Sequence, residues 1–147
     1  NIQFKDSTGK GMDWVESVVK YEKPDVVILD MGDKFADIKS ERSDITLKAA
    51  AIHARNIAKQ YDCAVVWMSQ LSAEAEGRAD LNQAMMEGSK TGKAAEADLM
   101  VLIGKTQQAE GEEDDPIRYL NIAKNKLNGF QGKITCMLDG SRSVYSA

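Results

Sequence analysis

The chain has 147 residues, of which 43% are hydrophobic and 29% are charged, and its formal net charge is −4. This length is that of one domain, and the composition is typical of a soluble globular protein. The negative net charge excludes a chain coated with basic residues but leaves room for a local patch that binds nucleic acid. No apolar run approaches the roughly 20 residues that cross a bilayer and no signal peptide opens the chain, so we expect no membrane association.

The first half of the chain alternates predicted strands and helices. Residues 2–6 alternate like a short strand, and residues 12–21 carry an apolar stripe that predicts a helix packed against a sheet. Residues 26–29 are four consecutive apolar residues, three of them β-branched, and predict a strand buried on both faces. Residues 43–60 predict a second helix that begins at a capping Ser-Asp pair.

The second half holds the remaining predicted strands. Residues 63–69 and 99–103 are apolar runs typical of buried strands, and residues 117–123 and 134–138 flank turns that contain glycine. Residues 144–145 predict a last short strand. The alternation of strands and helices predicts an α/β fold with a parallel sheet and crossover helices, and the chain closes with an antiparallel hairpin.

Asp30 and Gln70 stand at the carboxyl ends of the first two buried strands. If these strands are neighbours in a parallel sheet, both side chains reach the crevice where α/β sheets bind ligands. The acid would hold Mg²⁺ beside the phosphates of a nucleotide, and the amide would sense the γ-phosphate by hydrogen bonding. The alternative for Asp30 is a helix-capping or surface aspartate that follows an ordinary core strand.

Residues 71–95 form a long polar stretch, rich in small residues, between the second and third buried strands. Its basic residues Arg78, Lys90 and Lys93 would contact a phosphate backbone without reading its sequence. Because this stretch follows the amide that would sense the nucleotide, we interpret it as the moving part of the site.

Lys124 and Lys126 alternate along an extended segment, so both project to the same side at a strand end. Two neighbouring cations fit a polyphosphate. The alternative is a pair of solvated edge lysines that discourage pairing with another strand.

The chain contains no phosphate-binding loop of the form GxxxxGK[ST]. Residues 88–93 come closest to it, but three residues rather than four separate their glycines, and Ala94 follows Lys93. No strand precedes them either. We therefore find no Walker A motif in this sequence.

Cys63 and Cys136 both lie inside apolar, strand-like runs. We interpret them as buried free thiols rather than as a disulfide or a metal site. His53 is the single histidine and has no cysteine or other histidine near it in sequence, so we interpret it as a residue of a helix surface rather than a ligand.

Four segments, taken in order, resemble motifs of DnaB-type replicative helicases, a family that includes the helicases and primase-helicases of bacteriophages. The segments are residues 26–30, similar to the Walker B strand; 65–72, similar to a strand ending in Ser-Gln-Leu-Ser; 86–103, similar to a Glu-Ser-Gly or Gly-Ser-Gly stretch before an Ala-Asp strand; and 122–129, similar to Ala-Lys-x-Arg-x-x-Gly. The resemblance runs nearly end to end. It implies that residues 1–147 are the C-terminal portion of a single RecA-like P-loop ATPase domain from which the Walker A part is absent.

The resemblance also implies a role for each matching residue. Asp30 would organise Mg²⁺ and water, Gln70 would be the γ-phosphate sensor, and Lys126 would act in catalysis from a neighbouring subunit. Nucleotide contacts would come from Lys105, Lys124 and Lys126, and contacts with single-stranded DNA from Arg78, Lys90 and Lys93. The intact protein would then be an ATP-dependent DNA helicase that forms a ring, expected to be a hexamer, in the cytoplasm of the cell or of a phage's host. Its further partners would be a primase and a helicase loader.

Two features depart from the family pattern. Lys126 stands where the family usually has an arginine finger, and a lysine lacks the planar fork of a guanidinium. The Walker A loop and the catalytic glutamate that follows it would lie upstream of Asn1, so we expect this chain by itself not to hydrolyse ATP. Two alternatives remain open, which are another RecA-like ATPase such as a recombinase or RadA-like protein, and a DNA-binding or protein-binding module without hydrolysis.

Overall fold

The computed structural model describes residues 1–35, 43–87, 92–107 and 115–147. The chain divides into two compact units, Asn1–Gln70 and Leu71–Ala147. Each unit has its own sheet and its own hydrophobic core. Among the helices described, none is both long enough and apolar enough to cross a membrane.

The first unit places two helices against a two-stranded parallel sheet. Its elements are α1 (Met12–Glu22), β1 (Val26–Leu29), a 3-10 turn (Gly32–Phe35), α2 (Ser43–Tyr61) and β2 (Ala64–Trp67). The strands pair in parallel from Val26 opposite Ala64 to Leu29 opposite Trp67. Both helices and both strands predicted for this part of the chain are confirmed.

One face of this sheet carries the core of the first unit. Leu29 packs there among buried side chains of both helices, which are Met12, Val15, Val19, Leu47, Ala50, Ala54 and Ile57. On the opposite face, Val26 and Ile28 are 53% and 64% exposed. The prediction that β1 is buried on both faces was therefore wrong for the described chain, because α1 and α2 cover the same face.

The prediction of a strand at residues 2–6 was also wrong, since this segment has no regular secondary structure. Ile2 and Phe4, the apolar residues that suggested it, are 83% and 94% exposed. The segment is tied to the end of α1 instead, where the ammonium of Lys5 lies 2.7 Å from a carboxylate oxygen of Glu22. Alternation without a neighbouring strand to complete the hydrogen bonds does not make a strand.

The second unit is built on a four-stranded antiparallel sheet with the order β3-β4-β5-β6. Its strands are β3 (Leu99–Gly104), β4 (Ile117–Asn125), β5 (Gly132–Asp139) and β6 (Val144–Ser146), and a short helix, α3 (Gly92–Glu96), precedes them. The closing hairpin is confirmed as β4 and β5, and the last short strand as β6. The third predicted strand, β3, pairs with β4 and not with the parallel sheet of the first unit.

The described part of the polar stretch, residues 71–87, is folded onto this second sheet. Leu71 bridges Met86, and the backbone N–H of Ser72 donates to the carbonyl of Met85 at 2.8 Å. The buried side chain of Asn121 on β4 donates to the carbonyl of Ala79 at 2.9 Å and accepts from the backbone N–H of Leu81 at 3.3 Å. These contacts anchor the stretch to β4.

Both cysteines are free, and Cys136 is buried while Cys63 is half-buried. Burial raises the pKa of the Cys63 thiol. His53 is only partly exposed, and its Nε2 lies 2.7 Å from a carboxylate oxygen of Glu16 on α1. It therefore links the two helices of the first unit rather than standing on an open surface.

Candidate functional site

The carboxyl ends of β1 and β2 lie side by side, as predicted. Beyond the last pair, Leu29 opposite Trp67, the backbone N–H of Met68 still donates to the carbonyl of Leu29 at 3.1 Å. Asp30 and the Ser69-Gln70 pair therefore leave the sheet at the same edge. This is the edge at which open α/β sheets bind their ligands.

Asp30 and Gln70 are both exposed. Within the part of the chain that the structure describes, neither side chain is engaged in a hydrogen bond or an ion pair. An exposed carboxylate that no neighbour occupies is a suitable ligand for Mg²⁺, which is usually bound by one or two carboxylates together with waters and phosphates. The residues present thus fit the predicted cation, with Asp30 as the protein's ligand at this edge.

The backbone turns sharply immediately after Asp30. Met31 has a φ of 54°, in the left-handed region that side-chain-bearing residues rarely adopt. Gly32 follows, and its backbone N–H donates to the carbonyl of Met68 at 2.8 Å. Left-handed residues without glycine cost energy and concentrate at functional sites, so the turn is consistent with a site at this strand end.

Asp33, which the sequence analysis did not single out, joins the two strand ends through its side chain. One carboxylate oxygen accepts a hydrogen bond from Nε1 of Trp67 at 3.0 Å, and the other accepts from Oγ of Ser69 at 2.6 Å. These partners lie 34 and 36 positions away in sequence. No local pattern could have indicated them, because only the register of β1 against β2 brings them together.

Lys124 and Lys126 stand at the end of β4, where both make contacts within their own unit. The ammonium of Lys124 donates to the carbonyls of Ala94 and Ala95, the latter at 3.2 Å, near the C-terminus of α3. The ammonium of Lys126 lies 3.4 Å from a carboxylate oxygen of Asp98. The side chains of Lys126 and Asp98 are 47% and 52% exposed, so water screens this ion pair.

The basic residues predicted to contact DNA differ in their surroundings. Arg78 is exposed, whereas Lys93 is only 5% exposed within α3. Lys90 lies outside the described residues. Their role toward DNA stays a prediction, and in the structure Arg78 is the member of this set that is accessible.

Lys105 lies just beyond β3 and is half-buried. It lines an open cavity of about 560 Å³ together with Ser72, Glu76 and Gln107 from the second unit. The hydroxyl oxygen of Ser72 is buried there without a hydrogen-bond partner among the described residues. Nothing in this geometry selects a nucleotide, and the predicted nucleotide contact of Lys105 stays a prediction.

Comparisons with known proteins gave matches of structure alone. No protein family matches the sequence, and no curated protein matches it. A solved ATPase domain of a DnaB-like replicative helicase is similar over 99% of this chain and 54% of its own, with a TM-score of 0.84 and 18% identity. A second DnaB-like replicative helicase, solved in a study of its interactions with primase, is similar over 99% of this chain and 37% of its own, with a TM-score of 0.83 and 20% identity.

These matches confirm the predicted fold class. A parallel sheet flanked by helices, followed by an antiparallel sheet, is what the chain shares with both structures. The chain spans about half the length of the first and little more than a third of the second. Its fold is therefore that of a large part of the RecA-like ATPase domain of DnaB-like replicative helicases.

Proposed function

We propose that this chain is part of a ring-forming, ATP-dependent replicative DNA helicase that translocates on single-stranded DNA. The observation that carries the proposal is the pairing of β1 with β2, which brings Asp30 and Ser69-Gln70 to one edge of the sheet. It does so within a fold shared with DnaB-like helicase ATPase domains. The order of the four sequence motifs supports the same conclusion independently.

At the strand ends, each residue has a defined task. Asp30 acts as the Walker B carboxylate, binds Mg²⁺ and orients water, and Mg²⁺ supplies charge neutralisation on the phosphates when it is bound. Gln70, exposed beside it, donates a hydrogen bond from its amide to the γ-phosphate. Its position then changes with the state of the nucleotide and is passed to the segment that begins at Leu71.

The lysines at the end of β4 act on the nucleotide of a neighbouring subunit. Among them, Lys126 is the better candidate for catalysis, since its exposed pair with Asp98 is worth about 0–1 kcal/mol and is easily exchanged for a phosphate. Lys124 contacts two carbonyls near α3 and contributes positive potential from a more fixed position. We assign Lys105 a supporting contact with the nucleotide.

DNA contacts come from the segment between β2 and β3. Arg78, Lys90 and Lys93 contact the phosphate backbone of single-stranded DNA, which explains binding without sequence preference. The ring is proposed to be a hexamer that works in the cytoplasm with a primase and a loader. The interaction with primase is supported by one of the two similar structures, whose description reports it for that helicase.

The test of this function uses the intact protein and the variant Asp30→Ala. The wild type should hydrolyse ATP faster with single-stranded DNA than without it, and should separate a forked duplex. Asp30→Ala should lower turnover by about 100-fold or more, as expected for the loss of a group that stabilises charge at the reacting phosphate. Asp25→Ala removes an exposed carboxylate from the opposite end of β1 and should leave turnover unchanged.

Retained hydrolysis in Asp30→Ala would remove the Walker B assignment. Filament formation on DNA without strand separation would favour a recombinase or RadA-like protein instead. Tight, ATP-independent binding of DNA or protein, with no hydrolysis by the intact wild type, would favour a binding module.

A further inference from the structure

Asp33 sits at the junction of the two strand ends but is not one of the exposed groups that would touch a ligand. Its carboxylate accepts hydrogen bonds from Trp67 at 3.0 Å and from Ser69 at 2.6 Å. Hydrogen bonds to an ionised carboxylate are shorter and stronger than those between neutral groups. One side chain in the turn after β1 therefore holds two side chains at the end of β2.

Backbone contacts reinforce this junction. The N–H of Gly32 donates to the carbonyl of Met68, and the N–H of Met68 donates to the carbonyl of Leu29, so the two chains remain paired beyond the sheet. Gly32 also lies against the indole of Trp67, where an added Cβ would be 2.5 Å from Cε2. The turn and the end of β2 thus fit each other too closely to move independently.

The contacts of Asp33 also determine which way Gln70 faces. Exposure alternates from Val65 to Gln70, with Trp67 and Ser69 partly covered and Met68 and Gln70 exposed. Side chains alternate in this way along extended backbone. By holding Trp67 and Ser69 on the covered side, Asp33 leaves Gln70 on the exposed side.

We infer that Asp33 is a positioning residue that holds Ser69, and through it Gln70, in a defined place relative to Asp30. This inference rests on the proposed function, because it concerns the sensor role of Gln70. A change at Asp30 that accompanies nucleotide binding or release is passed through the Asp33 junction to Gln70 and to the segment after it. Loss of the junction uncouples DNA binding from hydrolysis without removing any group that touches the nucleotide.

The experiment measures ATP hydrolysis by the intact protein with and without single-stranded DNA. Asp33→Ala and Ser69→Ala should each lower the DNA-stimulated rate by about 10-fold, the smaller end of the range for residues that orient a catalytic group. The KM for ATP should stay near that of the wild type, since no nucleotide contact is lost. Ser69→Thr keeps the hydroxyl donor and should restore stimulation, and Asp25→Ala is the charge-matched control.

A spectroscopic readout separates positioning from a merely structural role. In a Trp14→Phe background, Trp67 is the remaining tryptophan, and its N–H is bonded to Asp33. Its emission should change when a non-hydrolysable ATP analogue binds, and Ser69→Ala should reduce that change while leaving the unfolding midpoint nearly unaltered. If Asp33→Ala does not fold, the Ser69→Ala and Ser69→Thr pair decides the question.

The two failures can be distinguished. If the wild type shows DNA-stimulated hydrolysis and both Asp33→Ala and Ser69→Ala keep it, the positioning role is overturned while the proposed function stands. If the wild type shows no DNA-stimulated hydrolysis, the proposed function fails and the inference falls with it.

Discussion

The two units treat their candidate residues differently. In the first unit, Asp30 and Gln70 are exposed, and the contacts that hold the strand ends are made by other residues, chiefly Asp33 and Gly32. In the second unit, Lys124 and Lys126 are themselves engaged with carbonyls or a carboxylate of their own chain. The first arrangement is preorganised for a ligand, whereas the second requires an exchange of partners.

This difference has a physical reason. A carboxylate and an amide can wait in water until a cation or a phosphate arrives, since water solvates both well. A long lysine side chain has a large conformational entropy that must be reduced before it can act at one place. A weak internal partner such as Asp98 keeps the ammonium of Lys126 near one position and can be displaced at little cost.

The largest expected effect is that of Lys126→Ala in the intact protein. Turnover should fall by about 100-fold or more while nucleotide affinity stays nearly unchanged, because the lost charge acts on the reacting phosphate. Steady-state kinetics and a nucleotide-binding titration measure the two quantities. Lys133→Ala is a matched control, since Lys133 is a lysine of the same sheet that also pairs with a carboxylate, that of Asp80 at 2.6 Å.

The companion variant Asp98→Asn sharpens the comparison between the units. If Asp98 only keeps Lys126 in place, turnover should stay within about 3-fold of the wild type, since an exposed pair contributes about 0–1 kcal/mol. A loss as large as that of Lys126→Ala would show that the ion pair itself is required. Normal turnover in Lys126→Ala would show that the finger lies elsewhere.

A middle-sized effect is expected from filling the close approach of one glycine in each unit. A Cβ at Gly104 would lie 2.6 Å from the carbonyl oxygen of Arg78, whereas one at Gly32 would meet the indole of Trp67. Gly104→Ala should cost about 3 kcal/mol of unfolding free energy and Gly32→Ala about 1–2 kcal/mol, because backbone yields less than a side chain. Urea unfolding measures both.

Gly140→Ala serves as the control for these variants, since an added Cβ there has no atom within 4 Å. It should change the unfolding free energy by less than about 0.5 kcal/mol. A larger cost for Gly32→Ala than for Gly104→Ala would show that the first unit is the more tightly packed of the two behind its strand end.

The smallest effect concerns the helices of the first unit and its response to acid. Hydrogen bonds from His53, and then from the hydroxyl of Tyr61, lower the pKa of Glu16 from its ordinary value of 4.5. A carboxyl whose pKa is lowered by folding stabilises the folded state above its ordinary pKa, and this contribution is lost as the pH falls through the lowered value. The charge of Glu16 should therefore matter near neutral pH and not in strong acid.

Glu16→Gln tests this expectation. The variant should unfold at a slightly lower urea concentration than the wild type near neutral pH, and the difference should disappear well below pH 4.5. Glu74→Gln, at an exposed position of the second unit, should show no such pH-dependent difference. A difference for Glu16→Gln that persists unchanged in acid would contradict the assignment to its charge.

Local patterns were enough to predict the elements and one edge of the sheet. The apolar runs that became β1 and β2 are short and bounded by turn residues, and their parallel pairing places Asp30 and Gln70 together. The pairing of β3 could not be predicted in the same way. Strand partners are chosen by backbone groups and packing far along the chain, and β3 takes β4 as its antiparallel neighbour.

The supporting contacts were out of reach of sequence patterns for a similar reason. The role of Asp33 depends on register, and the contact of Lys124 with Ala95 depends on how a five-residue helix packs against β4. The burial of Lys93 is another case, since its basic character suggested an exposed side chain and the structure covers it. Residue type indicates what a side chain can bind, whereas packing decides whether it is accessible.

The state of the two thiols has a practical consequence for studying the assembled protein. Cys136 is buried, and the raised pKa of Cys63 lowers the fraction of reactive thiolate. Maleimide dyes should therefore react slowly with the native chain. A cysteine introduced at Leu127, which is 76% exposed next to Lys126, would then be labelled selectively. Fluorescence energy transfer between copies labelled in this way would follow the distances between neighbouring subunits as nucleotide is consumed.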